Sequence, residues 1–177
     1  HLWVGNTLRW PVSVFVSASL IGVFVSPDLR ESLGAWRAWV LEPVLLAAIA
    51  LMTVRSLNHA KNLVLSLAIS GGALSFYGLA EYFISPEQLT DGRLNSVFVP
   101  ANYHAMLIVP TILLVVPLLR EWRGTWRGGV AVVSVLFMLA SLYFTYSFGG
   151  YLALSVGFLI MVFAQAQTKQ RIGGLVI

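Results

Sequence analysis

Uninterrupted apolar runs, such as VLLAAIALMTV at 44–54 and MLIVPTILLVVPLL at 106–119, constrain this chain more than any other feature. The hydrocarbon core of a bilayer takes about 20 such residues per helical crossing. Charged residues fall at the ends of the runs, and none of the runs shows the period-2 alternation of a barrel strand. Backbone N–H and C=O groups in lipid need partners within their own segment, so the runs are expected to be helices. Of 177 residues, 58% are hydrophobic and 10% charged, against roughly a quarter charged in soluble domains. The fold class expected is all-α integral membrane, a polytopic bundle of about six spans forming one domain over residues 1–177. The spans are placed near Trp10–Ser26, Ala38–Val54, Asn62–Ile84, Val97–Leu119, Gly129–Ser147 and Gly149–Ala166. Short connections make consecutive helices antiparallel neighbours.

Absence of cysteine excludes disulfides, thiol catalysis and thiolate metal sites. The formal charge of +4 comes from short clusters between apolar runs, which read as topology signals and not as a nucleic-acid surface. With a cytoplasmic N-terminus the inner side holds Arg9, Arg55, Lys61, Arg120, Arg123, Arg127, Lys169 and Arg171, and the outer side only Arg30, Arg37 and Arg93. That bias predicts the N-terminus inside. A cysteine introduced at position 90 should be labelled by an impermeant thiol reagent from outside, and one at 124 should not; the reverse pattern would invert the topology. The chain starts at His1 without a methionine and ends on GGLVI, the apparent opening of another apolar run, so it is expected to be a piece of a longer protein.

Polar groups then become informative. Asp28, Glu31, Glu42, Glu81, Glu87 and Asp91 fall on the predicted outer side together with Arg30, Arg37 and Arg93. Ionisable groups at a membrane boundary cost free energy unless paired or hydrated, so this side is where function is expected. SPDLRESLGAWRAW is read as a short helix lying along that surface. Trp36, Trp39, Trp122 and Trp126 fall at span ends, the depth that amphipathic rings prefer. SGGA at 70–73 and FGGY at 148–151 are expected to let helices approach closely.

Pro100 suits the first turn of a helix reaching Leu119. Asn102, Tyr103 and His104 then lie beside backbone N–H groups that lack partners, at the positive end of the helix dipole, an anion-binding arrangement. Arg93 brings a guanidinium fork that matches a phosphate. Each residue also has a structural reading. Arg93 as a solvated loop residue, Asn102 and His104 as hydrogen-bonding partners of a neighbouring helix, Glu42 as complement to a helix N-terminus, and His59 as a solvated loop residue all remain open. Pro110 and Pro117 are expected to kink their helix.

Three stretches together resemble the bacterial O-antigen ligase and O-antigen polymerase family. RLNSVFVPANYHAMLIVPTILLVVPLL is similar to the family's arginine, small-residue stretch and Pro-Asn helix opening. FTYSFGGYLALSVGFLI resembles its Thr-x-Ser-Arg-Gly helix opening, and RAWVLEPVLLAAIAL its cation-aromatic…Glu-Pro helix entry. Where the family often carries an arginine this chain has Phe148, which leaves Arg37 or a residue beyond Ile177 to supply a second cation.

The resemblance implies a GT-C-like membrane glycosyltransferase of the bacterial cytoplasmic membrane. It would move a glycan from an undecaprenyl-diphosphate carrier to a glycan or lipid acceptor on the outer face, with no cofactor and no metal. Arg93 and His104 are the implied catalytic residues. Arg93, Asn102, Tyr103, Arg37, Ser147 and Gly149 are the implied substrate contacts, with further catalytic groups expected in a large external loop later in the chain. A transporter or flippase-like protein for an anionic or lipid-linked substrate is the alternative, and a non-catalytic scaffold a third.

Overall fold

The computed structural model describes residues 2–89, 92–98 and 100–173. Thr90 and Asp91 lie outside the described residues. Every regular element among those described is helical: α1 (Leu2–Val25), α2 (Leu29–Trp36), a π-helical turn (Arg37–Leu41), α3 (Glu42–Thr53), α4 (Leu57–Ile84), a 3₁₀ turn (Pro86–Gln88), α5 (Ala101–Leu119), α6 (Trp126–Thr145) and α7 (Phe148–Gly173). Four helical stretches are long and apolar enough to cross a membrane: Leu29–Thr53, Leu57–Ile84, Ala101–Leu119 and Trp126–Thr145; Trp10–Val25 and Phe148–Ala164 are shorter apolar stretches. The chain groups into two compact units, His1–His59 and Ala60–Ile177.

In the first unit the structure revises the reading of SPDLRESLGAWRAW. Asp28 caps α2 by accepting from the Glu31 N–H at 2.9 Å, but α2 is no separate surface helix. Right-handed helical geometry continues through Trp36, Arg37 and Leu41 into α3, making one helix from Leu29 to Thr53. The widened π turn lies directly before Pro43, whose ring has no N–H to give and clashes with the carbonyl four residues back in a regular α-helix. One extra residue in the turn relieves that clash. Glu42 therefore does not stand at a free helix N-terminus, which closes the reading of it as a helix-terminus complement; it pairs with Arg37 Nε at 3.0 Å. Trp36 Nε1 donates to Ser19 Oγ of α1 at 3.0 Å.

The second unit is built on α5, which packs against both α6 and α7. Its buried residues Ala101, Ala105, Ile108, Ile112 and Val115 repeat at three- and four-residue spacing and meet Ala131, Val135, Met138 and Leu142 of α6. Lipid tails are as apolar as leucine, so the side-chain fit, and not a hydrophobic drive, holds such helices together. Small residues provide the fit. A Cβ on Gly72 would stand 2.7 Å from Ser134 Cβ, and one on Gly150 3.0 Å from Ala105 Cβ, so SGGA and FGGY are indeed places of close approach, although Gly149 faces open space.

Helix ends depart from the hydropathy reading. α4 begins at Leu57 and not Asn62, because helical hydrogen bonding continues through the polar boundary where hydropathy falls; its 28 residues span about 42 Å, longer than the hydrocarbon core. Pro100 precedes α5 as an extended N-cap residue, one position outside the helix, which runs on through Pro110 and Pro117. His59 is exposed near the start of α4. Trp122 does not join an interfacial belt: it is 4% exposed and packs into the core, whereas Trp126 is 67% exposed.

Candidate anion site at the mouth of a helical groove

The connection from α4 to α5 has to satisfy the last carbonyls of α6, which have no intrahelical donors. It does so with consecutive residues. Leu94 N–H donates to Phe144 O at 3.0 Å, and the Arg93 Nε–H donates to Thr145 O at 2.7 Å. Leu94 is fully buried and anchors the strap. Ser96 takes a left-handed conformation, φ 53°, and its hydroxyl donates to Leu74 O of α4 at 2.9 Å. A serine there costs about 1 kcal/mol more than glycine would, which the hydroxyl's bond offsets.

With Nε fixed, the fork of Arg93 points at the start of α5, where Nη2 donates to Asn102 Oδ1 at 3.0 Å. The amide orientation of Asn102 follows, since only its oxygen can accept, and its NH₂ group is turned to donate elsewhere. The backbone continues from Thr145 through Tyr146, left-handed at φ 48°, into Ser147. Ser147 caps α7 by accepting from the Gly150 N–H at 3.3 Å. Two helix N-termini, those of α5 and α7, thus flank one guanidinium. Each adds the positive end of a helix dipole, although in their first turns the Tyr103 N–H is held by Pro100 O and the Gly150 N–H by Ser147 Oγ. Tyr82 raises the Tyr146 phenol above its ordinary value, chiefly by Coulombic interaction and then by a hydrogen bond.

From this polar end a groove of about 470 Å³ runs between α5 and α7, lined by Asn102, Ser147, Gly149 and Gly150 and then by Ala105, Met106, Val109, Pro110 and Ala153. Small residues leave the space. Pro110 also leaves the Met106 carbonyl, four residues back, without a helical donor. The groove is therefore polar at one end and apolar along its length, and its volume falls within the usual range for small-molecule sites.

The structure thus brings together Arg93, Asn102, Ser147 and Gly149. Tyr103, on the first turn of α5, is partly exposed. Arg37 belongs to the other unit, with its side chain exposed and paired to Glu42. His104 is not at the groove. It is fully buried on the face of α5 that meets α6, with Nε2 3.1 Å from Ser141 Oγ. The same Ser141 hydroxyl lies 3.1 Å from Met138 O, and His104 Nδ1 is buried with no hydrogen-bond partner among the described residues.

The acidic residues of the predicted outer side divide between the two units: Asp28, Glu31 and Glu42 in the first, Glu81 and Glu87 in the second. Among the described residues no three His, Asp or Glu side chains gather as a metal would require. The partners that sequence reasoning missed are the Thr145 carbonyl, Ser141 and the apolar groove wall. A carbonyl carries no residue signature, but the small residues at 105, 149, 150 and 153 were a readable signal. Compared with family models, curated proteins and solved structures, the chain matches none.

Proposed function

We propose that this chain is the carrier-binding part of a membrane glycosyltransferase that uses a polyprenyl-diphosphate-linked glycan, of the O-antigen ligase or polymerase kind. One observation carries the reading: the Arg93 guanidinium is bonded to Asn102, and Asn102 with Ser147 and Gly149 lines the polar end of an apolar groove between α5 and α7. A prenyl tail fits the apolar wall and a diphosphate the polar end. In the transfer an acceptor hydroxyl attacks the anomeric carbon, the bond from that carbon to the carrier diphosphate breaks, and the diphosphate leaves with the electron pair. Donors aimed at that growing charge lower the barrier. The hydroxyl proton passes to a general base. In this reading Arg93 is catalytic and Asn102, Ser147 and Gly149 are binding groups. His104 would act through its packing, which holds the face of α5 that presents Asn102.

A bilayer-reconstituted full-length protein supplied with the carrier-linked glycan and acceptor should release free carrier diphosphate and extend the acceptor. Gly149→Leu checks the groove. Nothing lies within 4 Å of a Cβ added at Gly149, so the fold should tolerate the change while the side chain fills the polar end. Transfer is expected to fall by about tenfold or more, as misplacement of a bound reactant does, with the thermal midpoint unchanged; undiminished transfer would remove the groove from the reaction. The same groove suits a flippase for such a lipid, and that reading gains if the carrier crosses the bilayer while its glycan stays attached.

A further inference from the structure

The opposite end of the second unit carries a second cationic feature with no part in this chemistry. Arg120, Arg123 and Arg127 lie in the turn joining α5 to α6 and its first helical residues, and among the described residues none of them has an ion pair. The nearby carboxylate, Glu121, is already taken by Lys61 of α4. Three uncompensated charges therefore stand on one short turn.

The turn is also held in shape. Trp122 is buried as an anchor, its carbonyl accepts from the Thr125 N–H at 3.0 Å and from the Thr125 hydroxyl at 2.7 Å, and Thr125 caps α6 by accepting from the Gly128 N–H. A left-handed Gly124, φ 75°, makes the reversal. Trp126 projects outward with the Arg127 guanidinium 5.9 Å from its ring centroid.

We infer that this turn is a binding surface for anionic phospholipid headgroups. Charge complementarity selects an anion, and position selects a lipid. The helices on both sides expose apolar side chains, Leu114, Val132, Val133 and Leu136 among them, so the turn sits where the chain leaves the hydrocarbon. An exposed indole beside an arginine is the pairing that suits headgroup depth, with the ring among glycerol esters and the cation at phosphate. A soluble polyanion would meet the arginines but leave Trp126 without a role.

The test uses the full chain in phosphatidylcholine nanodiscs carrying trace spin-labelled phosphatidylglycerol or spin-labelled phosphatidylcholine, and reads the motionally restricted fraction of each. A basic residue at an anionic surface favours binding about fivefold, so a several-fold preference for phosphatidylglycerol is expected at low salt. It should decay as salt screens the charges, survive millimolar inorganic phosphate and survive Arg55→Gln. The triple variant R120Q/R123Q/R127Q should bring the ratio close to one. Because that variant alters a structured turn, Glu121→Gln supplies an arm of opposite sign: it frees Lys61 without touching an arginine and should raise the preference. Equal restriction of both lipids by the wild type, a preference that persists in the triple variant, competition by free phosphate, or no rise in Glu121→Gln would each overturn the inference.

Discussion

Transfer from a diphosphate-linked donor is expected to fall by about a hundredfold or more in Arg93→Ala, on the scale of losing one donor aimed at developing charge. The difficulty is that Arg93 also has a structural task, because it satisfies Thr145 O at the end of α6 and holds Asn102. Alanine removes both functions, so the loss alone would not separate them. Arg93→Lys keeps the charge but not the fork, and an ammonium on a flexible stem cannot hold both acceptors in fixed geometry; activity should fall between wild type and alanine. Asn102→Asp is the sharper variant. The carboxylate would pair with Arg93 and hold the strap at least as firmly, while cancelling the positive charge that a diphosphate needs. Thermal stability should stay level or rise, and transfer should fall as far as in Arg93→Ala. If Asn102→Asp transfers normally, the charge of Arg93 does not serve the donor, and its place at the end of α6 is explained by capping alone.

How much of this was legible in the sequence differs from residue to residue. The meeting of Arg93 with Asn102 was, because Pro100 fixes where a helix can start and a short strap has few ways to reach it. The expectation that His104 joins Asn102 at the anion site fails on geometry that the sequence carries: at 3.6 residues per turn, positions 102 and 104 point about 200° apart, so one helix cannot offer both to the same groove. The orientation of Asn102 toward α7 then sends His104 to α6. What composition does not carry is the fit between helices. Nothing in EPVLLAAIAL announces that Pro43 will be absorbed by a π turn instead of starting a helix, since a proline suits both and only the continuous backbone on either side decides. Trp122 and Trp126 sit four residues apart in near-identical surroundings, yet one is core and one is surface, because the turn between them folds Trp122 back under α6.

Gly72→Ala tests the claim that α4 is held by fit and not by hydrophobicity. The methyl group would stand 2.7 Å from Ser134 Cβ and 2.9 Å from Ser134 Cα. The second of these is backbone and has no rotamer in which to escape. Alanine is the better helix former by about 1 kcal/mol, and it buries a little more apolar surface, so propensity and composition both predict stabilisation. Overlap with backbone predicts the opposite, at about 1–3 kcal/mol, and should win because α4 and α6 must part along the stretch where Gly71 also abuts Met138. A lowered thermal midpoint in detergent is expected. Gly129→Ala, where an added Cβ meets nothing within 4 Å, should be neutral or stabilising by helix propensity alone. Adding Ser134→Gly to Gly72→Ala should recover part of the loss, since it clears the Cβ contact but leaves the one to Cα. A Gly72→Ala protein as stable as the wild type would mean that the two helices have room to spare, and that α4 owes its place to the membrane around it more than to its neighbour.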